Sequence, residues 1–337
     1  MHRSLLERLR CPDCLVGLRL EDPRESRGEI ESGVLSCARC EGRFPIVRFV
    51  PRFATGSNYS DSFGFQWNRF RKTQLDSHSG IPISRDRFFG STGWSESRLS
   101  GGLVLDVGCG SGRFSEIALG TGAVVTAVDY SSAVDACWEN LGPQPLLNVV
   151  QADVYRLPFE KHSFDFVYCL GVLQHTPDVG RAFLALVDQL REGGQIAVDV
   201  YPRLFSNLLW PKYWLRPLTR RLAPESLFRL VRLMVDLLLP LSLFVSRIPL
   251  VGRKLRYVVP VMNHAPDFPL SPEQVREWAI LDTFDMYAPS HDHPQSERAL
   301  RAWFEHAGLD RIDVRRRGLV VGRGVRPPTG SAADGAA

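Results

Sequence analysis

Three groups of residues in this chain have types and spacings that can do chemistry. The first is Asp106, Gly108, Gly110 and Gly112 in the run LVLDVGCGSG, residues 103–112. Apolar, β-prone residues lead into glycines at alternate positions, where a strand turns sharply and a ligand approaches bare backbone. Such a turn before a helix commonly cradles pyrophosphate. Two details point elsewhere: Arg113 stands where G-x-G-x-x-G needs its third glycine, and Asp106 stands two residues before the first. A fixed negative charge there repels a diphosphate and favours a ligand carrying an ammonium and a sulfonium.

The second group is Cys11, Cys14, Cys37 and Cys40, two C-x-x-C knuckles separated by twenty-two residues. Four thiolates from two knuckles suit tetrahedral zinc. Two disulfides or an iron centre are the rivals, the first disfavoured by a reducing compartment and the second by ligand type. A four-thiolate site leaves no open coordination position, so its role is structural or substrate-recognising rather than catalytic. The residues between the knuckles read as too few and too polar to bury a core, so metal should supply much of the folding energy. Cys109, Cys137 and Cys169 read as small buried hydrophobes.

The glycine turn and the segments after it resemble the class I S-adenosylmethionine-dependent methyltransferases. Asp106, Gly108, Gly110 and Gly112 match the family's first motif, with Cys109 between them. The next strand ends in Asp129, about 20 residues beyond the turn, and the resemblance implies that it accepts both ribose hydroxyls, with Tyr130 and Ser131 beside it. QADVYRLPF (151–159) is similar to the adenine-side motif, implying that Asp153 faces the exocyclic amine and that Val154 beside it also binds the cofactor. FDFVYCLGVLQHTPD (164–178), containing Leu170, resembles the fourth strand and its loop, and LREGGQIAVDVY (190–201) the fifth. The resemblance is close over roughly residues 58–201 and looser elsewhere. The cysteine stretch, ending GRFPIVRFVPRF, is similar to zinc ribbons found as partners or N-terminal extensions of methyltransferases, ribosomal RNA enzymes included.

These residues need a scaffold. Strands over 103–107, 124–128, 147–151, 164–169 and 195–200 alternate with helices near 113–120, 131–141 and 178–191, which predicts parallel strands with ligands at their C-terminal edge. The expected fold is therefore α/β: a doubly wound, mostly parallel seven-stranded Rossmann-like sheet, with an N-terminal zinc ribbon and a helical insertion. The expected units are a ribbon (1–55), a cap or linker (56–100), the cofactor-binding core (101–202), the insertion (203–265), the C-terminal part of the fold (266–326) and a disordered tail (327–337). Aromatic-rich residues 58–100 should form short helices. Phe65, Gln66 and Trp67 are candidates for a lid over the cofactor, with Trp67 and Phe70 as mere staples onto the sheet in the plainer reading. Ser271 and Pro272 with Glu273 open a helix, residues 296–309 form another, and RIDVRRRGLVVGRG supplies closing antiparallel strands.

Methyl transfer from a sulfonium is an in-line displacement, so the remaining task is to align a nucleophile and, for an oxygen or nitrogen acceptor, to remove its proton. The third chemical group serves this: His175 in LQHTPD, His291 and His293 in SHDHP, and Tyr201 at the end of the fifth strand. Neutral imidazoles near a pocket rim are the natural proton acceptors. The acceptor expected is a small molecule or a glycolipid precursor. An RNA methyltransferase that clamps nucleic acid with the ribbon and basic segment is the rival, disfavoured because CLGV rather than an NPPY-like sequence follows the fourth strand. A non-catalytic assembly module is the other alternative.

Composition bounds the rest. With 44% hydrophobic and 23% charged residues the chain reads as ordinary globular protein. Its net charge of +4 is uneven, because residues 203–256 carry eleven Lys and Arg against Glu225 and Asp236 alone. Any anionic partner should meet that segment. LFRLVRLMVDLLLPLSLFVSRIPLVG (227–252) is intensely apolar, either a helical cover over the substrate or basic amphipathic helices in a membrane interface. The cover is preferred, since apolar helices in a large domain are commonly core. Residues 1–10 lack a secretory apolar run and no uncharged stretch reaches 18 apolar residues, so a cytoplasmic location is expected, with peripheral contact at the inner membrane face as the variant.

Overall fold

The computed structural model describes residues 1–54, 56–204 and 210–328. The expected tail from residue 329 onward, and 205–209 of the insertion, lie outside the described residues.

Seven strands make the central sheet: β5 (Leu103–Val107), β6 (Val124–Asp129), β7 (Leu147–Gln151), β8 (Phe164–Leu170), β9 (Leu190–Val200), β10 (Asp310–Arg317) and β11 (Leu319–Val325). Their order is β10-β11-β9-β8-β5-β6-β7. β5 to β9 pair in parallel, while β11 runs antiparallel to β9 and β10 antiparallel to β11. All seven residues of β8 are buried, as a parallel strand covered on both faces requires. The chain winds outward from β5 to β7 and then returns to lay β8 against the other side of β5. That reversal opens a crevice beyond the strands' C-terminal ends, where ligands bind in open α/β sheets.

The helix expected near 178–191 is shorter, Val179–Val187. β9 already begins at Leu190, because Gly193 N donates to Arg326 O at 2.8 Å and Arg326 N to Gly194 O at 2.9 Å. Pairing with the end of the chain, which local sequence does not display, keeps these residues extended.

Strands β1 (Leu18–Ser26), β2 (Glu29–Cys37), β3 (Arg43–Val47) and β4 (Val50–Pro51) form a separate antiparallel sheet. This unit does bury a core, contrary to the polarity reading. Leu5, Leu9, Ile30, Leu35 and Ile46 are essentially buried and continuous with Leu105, Phe159 and Phe164 of the main domain. The ribbon borrows its interior from the larger sheet, each such side chain contributing about 1.5–3 kcal/mol. Phe53 N donates to Gln151 O at 2.7 Å, tying it to the β7 edge, and Arg52 Nη2 donates to Asp135 Oδ1 at 2.6 Å, tying it to the helix Ala133–Leu141.

Between ribbon and sheet lie four short helices, Asp61–Arg69, Asp76–Ser79, Ile83–Thr92 and Glu96–Leu99. The insertion contributes Pro211–Thr219, Pro224–Ser246 and Gly252–Leu255. One face of Pro224–Ser246, with Leu227, Phe228, Val231, Val235 and Leu239, packs on Val275, Ala279 and Phe284. The latter belong to helix Pro272–Tyr287, where Ser271 forms a capping box with Gln274 rather than with Glu273. Cap, insertion and this helix together roof the crevice.

Candidate active site

A cavity of about 1040 Å³ lies over the C-terminal ends of β5, β6 and β8, walled by the cap, the insertion and helix Pro272–Tyr287. It sits at the top of the usual range for small-molecule sites, roughly 300–1,000 Å³, so it has room for two ligands side by side.

The glycine loop forms its floor. Gly108 has φ +82°, and a Cβ there would stand 2.3 Å from Val172 Cγ2; at Gly110, with φ +54°, a Cβ would lie 3.1 Å from Trp67 Nε1. Gly112 turns its Cα toward Leu141 and caps helix Arg113–Gly120 instead of lining the cavity. Asp129 closes the end of β6: its Oδ2 accepts Gly110 N at 3.0 Å, and its Oδ1 accepts Ser131 N and Oγ at 2.8 and 2.7 Å. Desolvation raises its pKa, opposed by those donors. Cys109, Tyr130, Val154, Leu170 and Trp67 also line the space.

Asp106 does not. It is 2% exposed, absent from the cavity wall, and its Oδ2 accepts Ser115 Oγ at 2.6 Å. Burial pushes its pKa up to about 7. The sequence-based picture of a fixed negative charge facing the ligand is therefore corrected: the carboxyl is drawn beneath the loop by the following helix and made partly neutral. Ser131 is likewise buried behind Asp129. Asp153 also stands outside the wall, its Oδ1 accepting Tyr155 N at 3.0 Å to cap the turn Val154–Arg156, while Ala152 and Val154 on either side face the cavity.

Of the expected lid, Gln66 and Trp67 line the cavity. Phe65 points away, its ring 5.6 Å from Phe284 and 6.0 Å from Phe228, and Phe70 lies 6.0 Å from Phe228. These two staple the cap to the insertion, not to the sheet. Gln66 Oε1, Ser111 Oγ and Trp278 Nε1, all from lining residues, are buried with no hydrogen-bond partner among the described residues. Unpaired buried polar atoms cost about 1–3 kcal/mol each, so the wall suits a polar ligand.

Arg113, unremarked as a ligand group in the sequence, is the cation of this wall. Its Nε donates to Ser84 Oγ at 2.8 Å and Nη1 to Gln74 Oε1 at 2.7 Å, with no ion-pair partner among the described residues. Desolvation and the neighbouring Arg87 lower its pKa to about 9. Arg87, by contrast, is paired with Asp199 at 3.0 Å.

His175 is 5% exposed and also lines the cavity. Its Nδ1 lies 2.9 Å from His291 O. A carbonyl only accepts, so Nδ1 carries the proton and Nε2 the lone pair. Burial lowers the pKa of this ring, holding it neutral. Tyr201 also lines the wall, its hydroxyl donating a long 3.4 Å bond to Asp285 Oδ2, and desolvation raises the Asp285 pKa. The rings of His291 and His293 do not reach the cavity; that of His291 lies 5.5 Å from Tyr59, and His293 is exposed. Between them, Asp292 pairs with Lys212 at 3.2 Å and with Arg216, anchoring the insertion. The histidine-rich loop is thus a clasp.

Sequence reasoning missed the pair with the clearest acid–base geometry. His264 Nε2 lies 2.5 Å from Asp282 Oδ2, Gln74 Nε2 donates to Asp282 Oδ1 at 3.3 Å, and all three residues line the cavity. One signal was present: Asp282 and Asp285 stand three apart on a helix otherwise rich in buried apolar residues.

Away from the cavity, the sulfurs of Cys11, Cys14, Cys37 and Cys40 all lie within 4.8 Å of one another, with Cys11 and Cys40 at 3.6 Å. Zinc–sulfur bonds of about 2.3 Å give tetrahedral edges of about 3.8 Å, so the cluster has the right size. Backbone donors lower the Cys37 thiol to about 7, whereas burial raises Cys11 and the Cys40 sulfur pushes Cys14 up to about 12. All seven cysteines are free thiols.

Residues 105–198 match the family described as a methyltransferase domain. The matched stretch carries the glycine loop, Asp129, Asp153 and His175; the ribbon, cap, insertion, His264 and Asp282 lie outside it. Over 114 residues the chain is 33% identical to the ubiquinone biosynthesis O-methyltransferase of Coxiella burnetii, a match covering 33% of this chain and 49% of that protein. The protein of the same description from Azotobacter vinelandii is 38% identical over 108 residues, 31% of this chain and 47% of its own. The chain thus spans about half the length of these curated relatives. Among solved structures, the magnesium protoporphyrin IX methyltransferase of Synechocystis PCC 6803 with bound SAH is 16% identical, with a TM-score of 0.43, over 80% of this chain and 96% of that one.

Proposed function

We propose that this protein transfers a methyl group from S-adenosylmethionine to a small-molecule acceptor bound in the same cavity. The observation that carries the reading is that one space holds both the glycine loop, within the stretch that matches a methyltransferase domain, and the His264–Asp282 pair. The curated relatives act on oxygen by their names, which favours an oxygen acceptor here.

When bound, S-adenosylmethionine supplies an electrophilic methyl on sulfur. The residues present suit it. Asp129 accepts the ribose hydroxyls, the bare backbone of Gly108–Gly110 admits close approach, and Tyr130 and Val154 flank the adenine. Arg113 takes the amino-acid carboxylate, for which a desolvated guanidinium bonded only to neutral oxygens is well matched. Trp67 covers the loop from the cap side.

Toward the acceptor, His264 donates Nε2–H to Asp282, which leaves the Nδ1 lone pair to take a proton from the attacking group. The Asp282 carboxylate then lies against the positive charge that develops on the ring. Burial disfavours the charged form of His175, so with Tyr201 it orients the acceptor. The cysteine cluster holds structural zinc and contributes no step.

The reading is tested by release of S-adenosylhomocysteine from the zinc-loaded protein across a panel of phenols, carboxylic acids and amines. Acceptor-dependent release that fails in His264→Gln supports it. No release, with no binding of the cofactor or its product, sinks it.

A further inference from the structure

Exposed large apolar side chains are gathered on one part of this protein. Of sixteen among the described residues, fourteen lie between Trp214 and Val258. On helix Pro224–Ser246, Leu230, Leu233, Leu237, Leu241 and Phe244 recur three or four residues apart, so they form one stripe, continued by Ile248. The residues packed against the protein, Leu227, Phe228, Val231, Val235 and Leu239, occupy a different face of the same helix. Trp214 is 72% exposed, Leu218 67%, Phe244 68% and Leu250 fully so. Single exposed leucines are ordinary, but a stripe of five along one helix, with more exposed apolar residues on the helices before and after it, is not.

The same segment exposes Arg220, Arg221, Arg229, Arg232, Arg247, Arg253 and Lys254. Its exposed acids are Glu225 and Asp236, and Asp236 is already paired with Arg276 at 2.7 Å. No helix among the described residues is long and apolar enough to cross a membrane.

We infer that this face seats on the surface of an anionic lipid bilayer, with the stripe at the boundary between headgroups and acyl chains and the cations among the phosphates. An apolar face flanked by Lys and Arg has this chemistry. A second copy docking through the same face would set seven cations against seven, a like-charge cost that anionic lipid converts into attraction. The segment is also a wall of the cavity. Trp210 and Tyr257, stacked with centroids 5.2 Å apart, line it, while Trp214 and Val258 nearby in the chain stand on the exposed face. The seating does not depend on the reaction proposed above and is read without it.

The test is cosedimentation of the full, zinc-loaded chain with vesicles of phosphatidylcholine alone or mixed with phosphatidylglycerol. Binding is expected to the mixed vesicles, to weaken with salt, and to fall on the order of a hundredfold when Arg229, Arg232 and Arg247 become alanine. Leu233→Glu, Leu237→Glu and Phe244→Glu together should abolish it while the circular dichroism spectrum stays native. Should that variant unfold, quenching of tryptophan fluorescence in the native protein by brominated lipid gives the answer. Failure to bind anionic vesicles, absence of quenching, or a dimer that the stripe variant dissociates without any lipid binding would overturn the inference.

Discussion

The imidazole of His264 and the carboxylate of Asp282 meet at 2.5 Å although they stand eighteen positions apart in the chain. The contact fixes the ring's tautomer, and both residues line a cavity that also contains the glycine loop. Replacing His264 with Gln is expected to lower kcat by about 10²–10⁴, the usual worth of a positioned base. Affinity for S-adenosylhomocysteine should change far less than kcat, since the ring touches Arg113 only through Asp282 and Gln74. Steady-state kinetics combined with product-binding titration measures both, and an unaltered kcat would remove His264 from the reaction.

Arg113→Met addresses the cofactor end. Losing one charge-assisted contact to the amino-acid carboxylate should weaken S-adenosylhomocysteine roughly tenfold to a hundredfold. Methylthioadenosine, which lacks that carboxylate, should bind both proteins alike. Equal loss for the two ligands would mean that Arg113 merely supports Gln74 and Ser84.

Asp106 gives a pH signature. Its folded pKa, about 7, stands above the ordinary 3.8, so the unfolded chain releases this proton first as pH rises. Stability that the protonated carboxyl contributes is therefore full below pH 4 and lost between about pH 4 and 7. Relative to Asp106→Asn, the native protein should lose on the order of a few kcal/mol across that window and then level off. Urea unfolding of both proteins at pH 5, 6, 7 and 8 reads the difference, and a gap that does not change with pH would show the carboxylate to be ionised throughout.

Metal removal should be felt beyond the ribbon. Leu9 and Leu35 share one core with Phe159 and Phe164, so loosening the cysteine knuckles opens the edge of the main sheet. Elemental analysis is expected to give one zinc per chain, and chelation to lower the thermal midpoint of the whole protein. A chelated protein with an unshifted transition, or an iron chromophore, would contradict this.

Whether a feature is legible in the sequence depends on how locally its causes lie. β5 and the helix after it are legible because a short β-prone run, alternate glycines and a helical pattern all fall within twenty residues. Asp106 is legible as an acid but not in its direction, which Ser115 decides from the next element. His291 and His293 look like a cluster because they are neighbours in the chain, yet the residue between them, Asp292, carries the tie to Lys212 and Arg216. His264 shows no local pattern and Asp282 only its spacing from Asp285; the packing of the insertion on helix Pro272–Tyr287 brings the two together. For residues 227–252 the sequence displays a high apolar content broken by Arg229, Arg232, Asp236 and Arg247; which face finds protein and which faces out is settled by Val275, Ala279 and Phe284.

The central claim is that the glycine loop and Asp129 receive an adenosyl amino acid. Titration calorimetry of the zinc-loaded protein with S-adenosylhomocysteine tests it most directly. One binding site per chain is predicted, lost on Asp129→Ala while the protein stays folded. Absence of heat with S-adenosylhomocysteine, together with saturable binding of NAD at the same cavity, would contradict the account.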